Sequence, residues 1–227
     1  MKSATSPRVL VCVPCYSGVD PNPFIRFLIV SQESGRAEAA GKYSVRWMIG
    51  GPKVKTQNVR NIACKMALDC AASHLLFVDD DMFLDDKDIV EKLLAHDKAI
   101  VAPLFFRSAG NYDPLVFDLD SNGDPTPILD YPKNALVEAR GGVGTGVMLI
   151  KRQVLEAVKD PWFFYPPNPA RSMDLHFCLR AIDLGFQVWC DTSLIVRQLG
   201  LPQPVGEDDF LNYQATIHAN AGSLTAV

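Results

Sequence analysis

His74-Leu-Leu-Phe-Val78 runs straight into Asp79-Asp80-Asp81-Met82. The apolar run reads as a buried strand, and three carboxylates at its end repel one another, which is costly unless a cation sits among them. The C-terminal edge of a parallel sheet is where open α/β folds bind ligands. If the extended chain continues past Val78, Asp79 and Asp81 point the same way. Both then face one ion as hard oxygen donors of the kind Mg²⁺ or Mn²⁺ takes. The plainer alternative is a solvated acidic turn in which Asp81 or Asp85 caps the next helix. Capping needs only one of the three acids, so a site is the better reading.

Upstream of this stretch, Val59, Ile62, Ala63, Met66, Ala67, Cys70 and Ala71 fall on one face between Gln57 and Ser73, the mark of an amphipathic helix. Arg8–Pro14 reads as a short β-branched strand stopped by proline, Phe24 and the residues after it as a helix, and Tyr43–Ile49 as a second strand. Downstream, residues 85–96 predict a helix and Ala99–Ala102 a strand. This β-α-β-α-β rhythm predicts a mostly parallel sheet with helices on both faces. From Phe105 to Glu138, six prolines or glycines predict short antiparallel pieces, with a hairpin at Asn122-Gly123. The α/β rhythm resumes with Val147–Ile150, helices over Arg152–Val158 and Ser172–Leu184, and a strand at Gln187–Cys190. The expectation is one α/β domain over residues 1–227, with its core at about 8–200 and a loop-rich tail over 201–227 in which Glu207-Asp208-Asp209 is solvated.

The 227 residues are 48% hydrophobic and 21% charged, a globular balance that needs no disulfides to bury a core. A net charge of −4 gives no overall basic field for a nucleic-acid backbone. The first residues lack the long apolar core of a signal peptide, and no run is long enough to span a bilayer. Six cysteines, mostly inside apolar runs, read as reduced thiols of a cytoplasmic protein.

Three further motifs carry chemistry. Gly141-Gly142-Val143-Gly144-Thr145-Gly146 permits close backbone approach but precedes a strand and lacks a phosphate loop's Lys-Ser/Thr. Ser172-Met173-Asp174 opens a helix, where Asp174 favours the dipole and is also a reasonable general base. Asp160–Pro169 is a rigid aromatic loop, either plain packing or a sugar-stacking wall. Cys12-Val-Pro-Cys15 has redox-motif spacing but does not open a helix, and the four histidines lack zinc-ligand spacing.

Taken in order, these pieces resemble a GT-A fold glycosyltransferase of the family-2-like sort found in bacteria and phages. The resemblance covers about residues 8–200. It rests on Val11-Cys-Val-Pro-Cys-Tyr16, Asn58-Val-Arg60-Asn61, Leu76-Phe-Val-Asp79-Asp80-Asp81-Met82 (a DXD motif), Gly144-Thr-Gly146-Val-Met-Leu-Ile-Lys-Arg152 and Asp174-Leu-His-Phe-Cys-Leu-Arg180. It implies a GT-A (Rossmann-like) sheet and a nucleotide-diphosphate sugar donor. Pro14, Cys15 and Tyr16 would line the base pocket with Arg60 nearby, and Asp79 and Asp80 would lie near the ribose and donor sugar. Asp81, with Asp79, would bind Mn²⁺ or Mg²⁺, and Asp174 would deprotonate the acceptor hydroxyl in an inverting displacement. Gly144, Thr145, Gly146 and Trp162 would border the acceptor, which is a glycan, a lipid-linked sugar or another hydroxyl compound; a nucleic-acid acceptor is not favoured.

Two departures stand out. The family usually carries Glu-Asp where this chain has Met173-Asp174. It also often carries a metal-binding histidine where this chain has Gln198, which leaves Gln198 or a folded-back His218 as further ligand candidates. Two alternatives follow: a non-catalytic nucleotide-sugar-binding module, or a haloacid-dehalogenase-like phosphatase using Asp79 and Asp81. The phosphatase motif, however, expects a hydroxyl residue where Phe83 stands.

Overall fold

The computed structural model describes residues 6–16, 18–51, 53–168, 171–200 and 204–224, the last six of these in backbone alone. The elements run β1 (Arg8–Val13), α1 (Pro21–Ala39), β2 (Ser44–Ile49), α2 (Thr56–Asp69), β3 (His74–Val78), β4 (Met82–Phe83), α3 (Ile89–Ala95) and β5 (Ile100–Leu104). Then follow β6 (Val116–Leu119), β7 (Pro125–Pro127), β8 (Leu136–Glu138), β9 (Gly142–Val143), β10 (Val147–Lys151) and α4 (Arg152–Val158). The chain continues with α5 (Met173–Asp183), β11 (Val188–Ile195), β12 (Arg197–Gln198) and α6 (Glu207–Leu224).

Seven strands form one twisted layer in the order β2-β1-β3-β10-β5-β11-β8. The strands β1, β2, β3, β5 and β11 share one direction, as the apolar runs predict, while β10 and β8 run against them. Each face of the sheet covers its own apolar layer. One holds Leu75, Phe77, Met148, Phe163 and Phe177; the other holds Leu76, Val78, Phe27, Val101 and Leu149. Alternate residues of β3 thus point to opposite cores, as a strand buried on both faces requires.

The reversal of β10 corrects the expectation of a resumed parallel rhythm. It matters because an antiparallel strand starts where its parallel neighbours end. The glycine-rich lead-in to β10 therefore arrives at the same sheet edge as the acidic end of β3, where the Asp79 amide donates to the Gly146 carbonyl at 2.7 Å. Pairing Val147 with Val78 and Lys151 with His74 fixes this register.

The small antiparallel sheet β7-β6-β9 follows the predicted hairpin, with Asp120 accepting backbone bonds from Asn122 and Asp124 across the turn. The expected helix over 85–96 is shorter. An Asp86 carboxylate bond to the Asp88 amide holds the approach in a turn, which competes with helix at such residues. The strand at Gln187–Cys190 is longer, reaching Ile195.

The loop-rich tail is also corrected. Residues 207–224 are helical, and the three acids lie in the first turn, where the dipole favours negative charge. Glu207 accepts from the Tyr131 hydroxyl at 2.5 Å and from Lys133. Phe210 is buried against Phe106 and Tyr131. Among the described residues all cysteines are free, with only Cys70 exposed, and no helix is long and apolar enough to cross a membrane.

His74 supplies a test of this core. Burial first, and then Lys151 beside it, push its pKa down from 6.5 to about 4. The unfolded chain therefore binds more protons between these values, and stability falls as pH drops from about 6.5 to about 4. His74→Gln is expected to flatten that part of the stability curve relative to the parent in urea titrations. An unchanged difference between pH 4 and 7 contradicts the assignment.

Candidate active site at the sheet edge

Arg60 organises the edge. It lies on α2, is 2% exposed, and its guanidinium reaches carboxylates from two distant parts of the chain. Nη2 donates to both Asp79 oxygens at 2.9 and 3.1 Å, and Nη1 donates to Asp174 Oδ1 at 2.5 Å. The rings of Phe77 and Phe163 lie 5.9 and 5.8 Å from its central carbon. Phe163 in turn stacks on Phe177 of α5 at 4.6 Å. Burial works against the Arg60 charge, but Asp174 and Asp79 outweigh it and hold the guanidinium protonated.

The neighbouring acids separate into two sets. After Val78 the chain turns, with the Met82 amide bonding the Asp79 carbonyl, so the extended geometry that would aim Asp79 and Asp81 at one ion is absent. Asp79 faces Arg60, and burial, opposed by Arg60 and reinforced by Asp174, raises its pKa to about 6. Asp81 turns to the other side, where its Oδ2 accepts from Gln198 Nε2 at 2.8 Å. Its Oδ1 is buried without a hydrogen-bond partner among the described residues, and burial raises its pKa. Asp80, also raised by burial, bonds the thiol of Cys15.

The Asp81–Gln198 contact is built by the backbone. β12 pairs with β4 so that Gln198 stands opposite Met82, and the Leu199 amide donates to the Asp81 carbonyl at 2.8 Å. Arg197, one position along, joins Arg26 on Asp85 and lowers the pKa of that carboxyl against the effect of burial. Gln198 thus occupies the place beside Asp81, while His218 stands exposed on α6. Among the described residues no three His, Cys, Asp or Glu side chains converge as a metal-ion cage.

On the other side, α5 presents Asp174 in its first turn. The Ser172 hydroxyl caps this helix by accepting from the Leu175 amide. Gly142, at φ +100°, lets β9 press against α5; an added Cβ would stand 2.7 Å from the Cys178 Cβ. This approach brings the Thr145 amide to 3.4 Å from Asp174 Oδ2, too long for a firm hydrogen bond. Asp174 lies on the wall of a cleft of about 670 Å³, lined also by Gly144, Phe117, Pro125, Tyr165 and Arg171 among others.

Of the expected acceptor-side residues, Gly144 lines this cleft and Thr145 is fully buried beside it. Gly146 does not line it: an added Cβ would meet the Phe105 ring at 2.8 Å, so this glycine serves close packing. Trp162 is a second correction. It is buried, donates from Nε1 to the Leu155 carbonyl at 2.8 Å, and lies on the α2 side of the molecule with Asn61 and Lys65. Of the aromatic loop, Trp162 and Phe163 are packing and Tyr165 is wall. On the opposite flank Pro14 and Cys15 are buried at the end of β1, with Tyr16 exposed beyond them.

Sequence reasoning gave Asn61 no role, yet it exchanges two hydrogen bonds with the backbone of Phe163 and so fixes the loop that covers Arg60. Arg107, Asp113 and Arg171 were also missed. Single polar residues in irregular loops leave no periodic or spacing signal.

No family model and no curated protein matches the chain in sequence. Among solved structures, A197 from STIV is similar, with a TM-score of 0.56, 21% identity and 85% of each chain covered. That likeness, together with the strand order and the reversed β10, bears on architecture. The fold is GT-A-like. Looser similarities, with TM-scores of 0.45 and 0.34, link it to a CMP:2-keto-3-deoxy-manno-octonic acid synthetase complexed with CTP and to a glycosyltransferase involved in glycosylation of the major capsid of PBCV-1. Identities are 15% and 12%. The first covers 96% of this chain and 99% of the other, the second 70% and 71%.

Removing Arg60 leaves two carboxylates facing each other over an apolar floor. Arg60→Met is expected to cost about 3–5 kcal/mol of stability, and adding Asp79→Asn to restore part of it, as read by urea unfolding. Equal stability of Arg60→Met and the parent refutes this account of the edge.

Proposed function

We propose that the chain is a metal-dependent glycosyltransferase that moves a sugar from a nucleoside-diphosphate donor to an acceptor hydroxyl, with Asp174 as base. One observation carries this reading: buried Arg60 locks Asp79, at the donor end of the edge, to Asp174, which opens on the 670 Å³ cleft. A proton acceptor is thereby held on the cleft wall and tied to the acidic sheet edge, the kind of placement a bisubstrate displacement needs. Arg60 takes up Asp174 Oδ1, which leaves Oδ2 to receive the acceptor proton. As the acceptor oxygen bonds to the anomeric carbon, the bond from that carbon to the diphosphate breaks and the diphosphate leaves. Attack from the side opposite the leaving group inverts the anomeric centre.

The metal part of the reading depends on Asp81. Its buried Oδ1 lacks a partner among the described residues, and a hard anionic oxygen in that state suits Mg²⁺ or Mn²⁺. Asp81 would hold the ion with the Gln198 amide beside it, and the ion when bound would supply positive charge for the leaving diphosphate. With so few protein ligands, the donor's own oxygens would have to complete the shell. The flank formed by Cys15, Tyr16 and Asp80 is assigned to the nucleoside. Asp79 donates no nucleophile in this scheme, because both its oxygens accept from Arg60; this weighs against the phosphatase alternative.

Calorimetry with UDP, GDP, CDP and dTDP tests the reading. At least one is expected to bind, and Mn²⁺ affinity to be low alone and to rise with that nucleotide. Asp81→Ala should abolish the mutual enhancement. Asp174→Asn should leave nucleotide binding intact while slowing sugar transfer or donor hydrolysis by about 10²–10⁴-fold. Failure of all four nucleotides to bind, or full turnover in Asp174→Asn, rejects the proposal.

A further inference from the structure

We infer that the cleft beside Asp174 receives a neutral oligosaccharide, with Tyr165 as its stacking platform and Arg107 and Asp113 as its hydroxyl-reading pair. This rests on the glycosyl-transfer reading and names the acceptor class that reading leaves open.

The wall comes first. Tyr165 is 68% exposed on the cleft, and among the described residues its ring stacks on no other and its hydroxyl makes no hydrogen bond. Pro166 adjoins it, while Phe117, Pro125 and Pro127 of the small sheet also line the cleft. An exposed aromatic face among prolines suits the C–H face of a sugar ring, which offers apolar contact without requiring charge. The wall is also preformed. Asn168 Nδ2 donates to Asp124 Oδ1 at 3.1 Å, and Arg171 Nη2 to the Gly123 carbonyl at 3.3 Å. These bonds tie the Tyr165 loop to the hairpin turn, so little ordering remains for the ligand to impose.

The polar groups come next. The Arg107 amide donates to the Asp113 carbonyl at 2.9 Å, and Phe106 bridges to Pro114, which closes a small loop at the rim. Both side chains line the cleft, and neither forms an ion pair or hydrogen bond among the described residues. One offers only donors and the other, ionised, only acceptors. A sugar hydroxyl is both at once, so adjacent hydroxyls satisfy the two together. A polyanion would meet Asp113 and Asp174 as well as Arg107 and Arg171, a balanced lining that gives it no net attraction, and a lipid chain would strip water from the unpaired charges of Arg107 and Asp113. The volume of about 670 Å³ is mid-range for a small-molecule site and exceeds one sugar ring.

Saturation-transfer NMR on the full chain tests this, using maltotriose, cellotriose and mannotriose as neutral probes. A hyaluronan tetrasaccharide and a short single-stranded oligonucleotide serve as charged ones. At least one neutral trisaccharide is expected to bind, with Tyr165→Ala weakening it about tenfold. Arg107→Ala and Asp113→Asn should each weaken it as well. Nucleoside-diphosphate affinity of each variant serves as the control for folding. Binding of none of the neutral probes, tighter binding of a charged probe, or unchanged affinity in Tyr165→Ala overturns the inference. Trisaccharide binding without any nucleotide binding would reject the transferase reading and leave the cleft assignment standing; nucleotide binding without any trisaccharide does the reverse.

Discussion

A guanidinium withdrawn from water must be paired with opposite charge, and at Arg60 that requirement shapes the molecule, although its buried Nε has no hydrogen-bond partner among the described residues. Its two carboxylate partners lie 19 and 114 residues away in sequence. Satisfying it therefore forces α2, the end of β3 and the start of α5 to meet at one point. The aromatic layer of Phe77, Phe163 and Phe177 lowers the local dielectric and makes an unpaired charge there still more costly. Asn61, one residue along α2, secures the loop that supplies Phe163. Electrostatics and packing at this point thus impose the same geometry.

A division of labour among the acids follows. Asp79 is structural in its contacts, because Arg60 engages both its oxygens. Asp81 is held by a neutral amide and keeps an oxygen without a partner among the described residues. Asp174 shares one oxygen with Arg60 and lines the cleft. Three residues of the same type take three roles because their neighbours differ, which is the usual origin of functional distinction among carboxylates.

Much of this was readable in the chain. The period of apolar residues located α2, though it ran on to Ala71, past the helix end at Asp69. The chain leaves the helix there because Ala71 adopts φ 53°, a change that apolar spacing cannot register. Ser172 and Asp174 marked the start of α5 correctly through cap and dipole chemistry. The direction of β10 was not readable, since a strand buried on both faces has the same composition whichever way it runs. Nor was the docking of α6: its acids look like a solvated tail until Phe210 is seen against Phe106 and Tyr131. The halves of the Asp81–Gln198 pair were each visible as candidates, but their contact depends on a two-residue ladder too short to leave a pattern.

The reversed strand also has a consequence for how the protein is made. β10 sits between β3 and β5, yet it is synthesised more than forty residues after β5 ends at Leu104. Until it emerges from the ribosome, β3 keeps an open apolar border and β5 has no partner strand, because β11 is made later still. Such borders pair readily with other chains. Insertion of one late strand joins β5 to the β2-β1-β3 unit and, in the same step, carries the glycine segment to the acidic sheet edge. The candidate site is therefore assembled late: a chain stalled before Val147 lacks both the strand that joins β3 to β5 and Asp174 of α5.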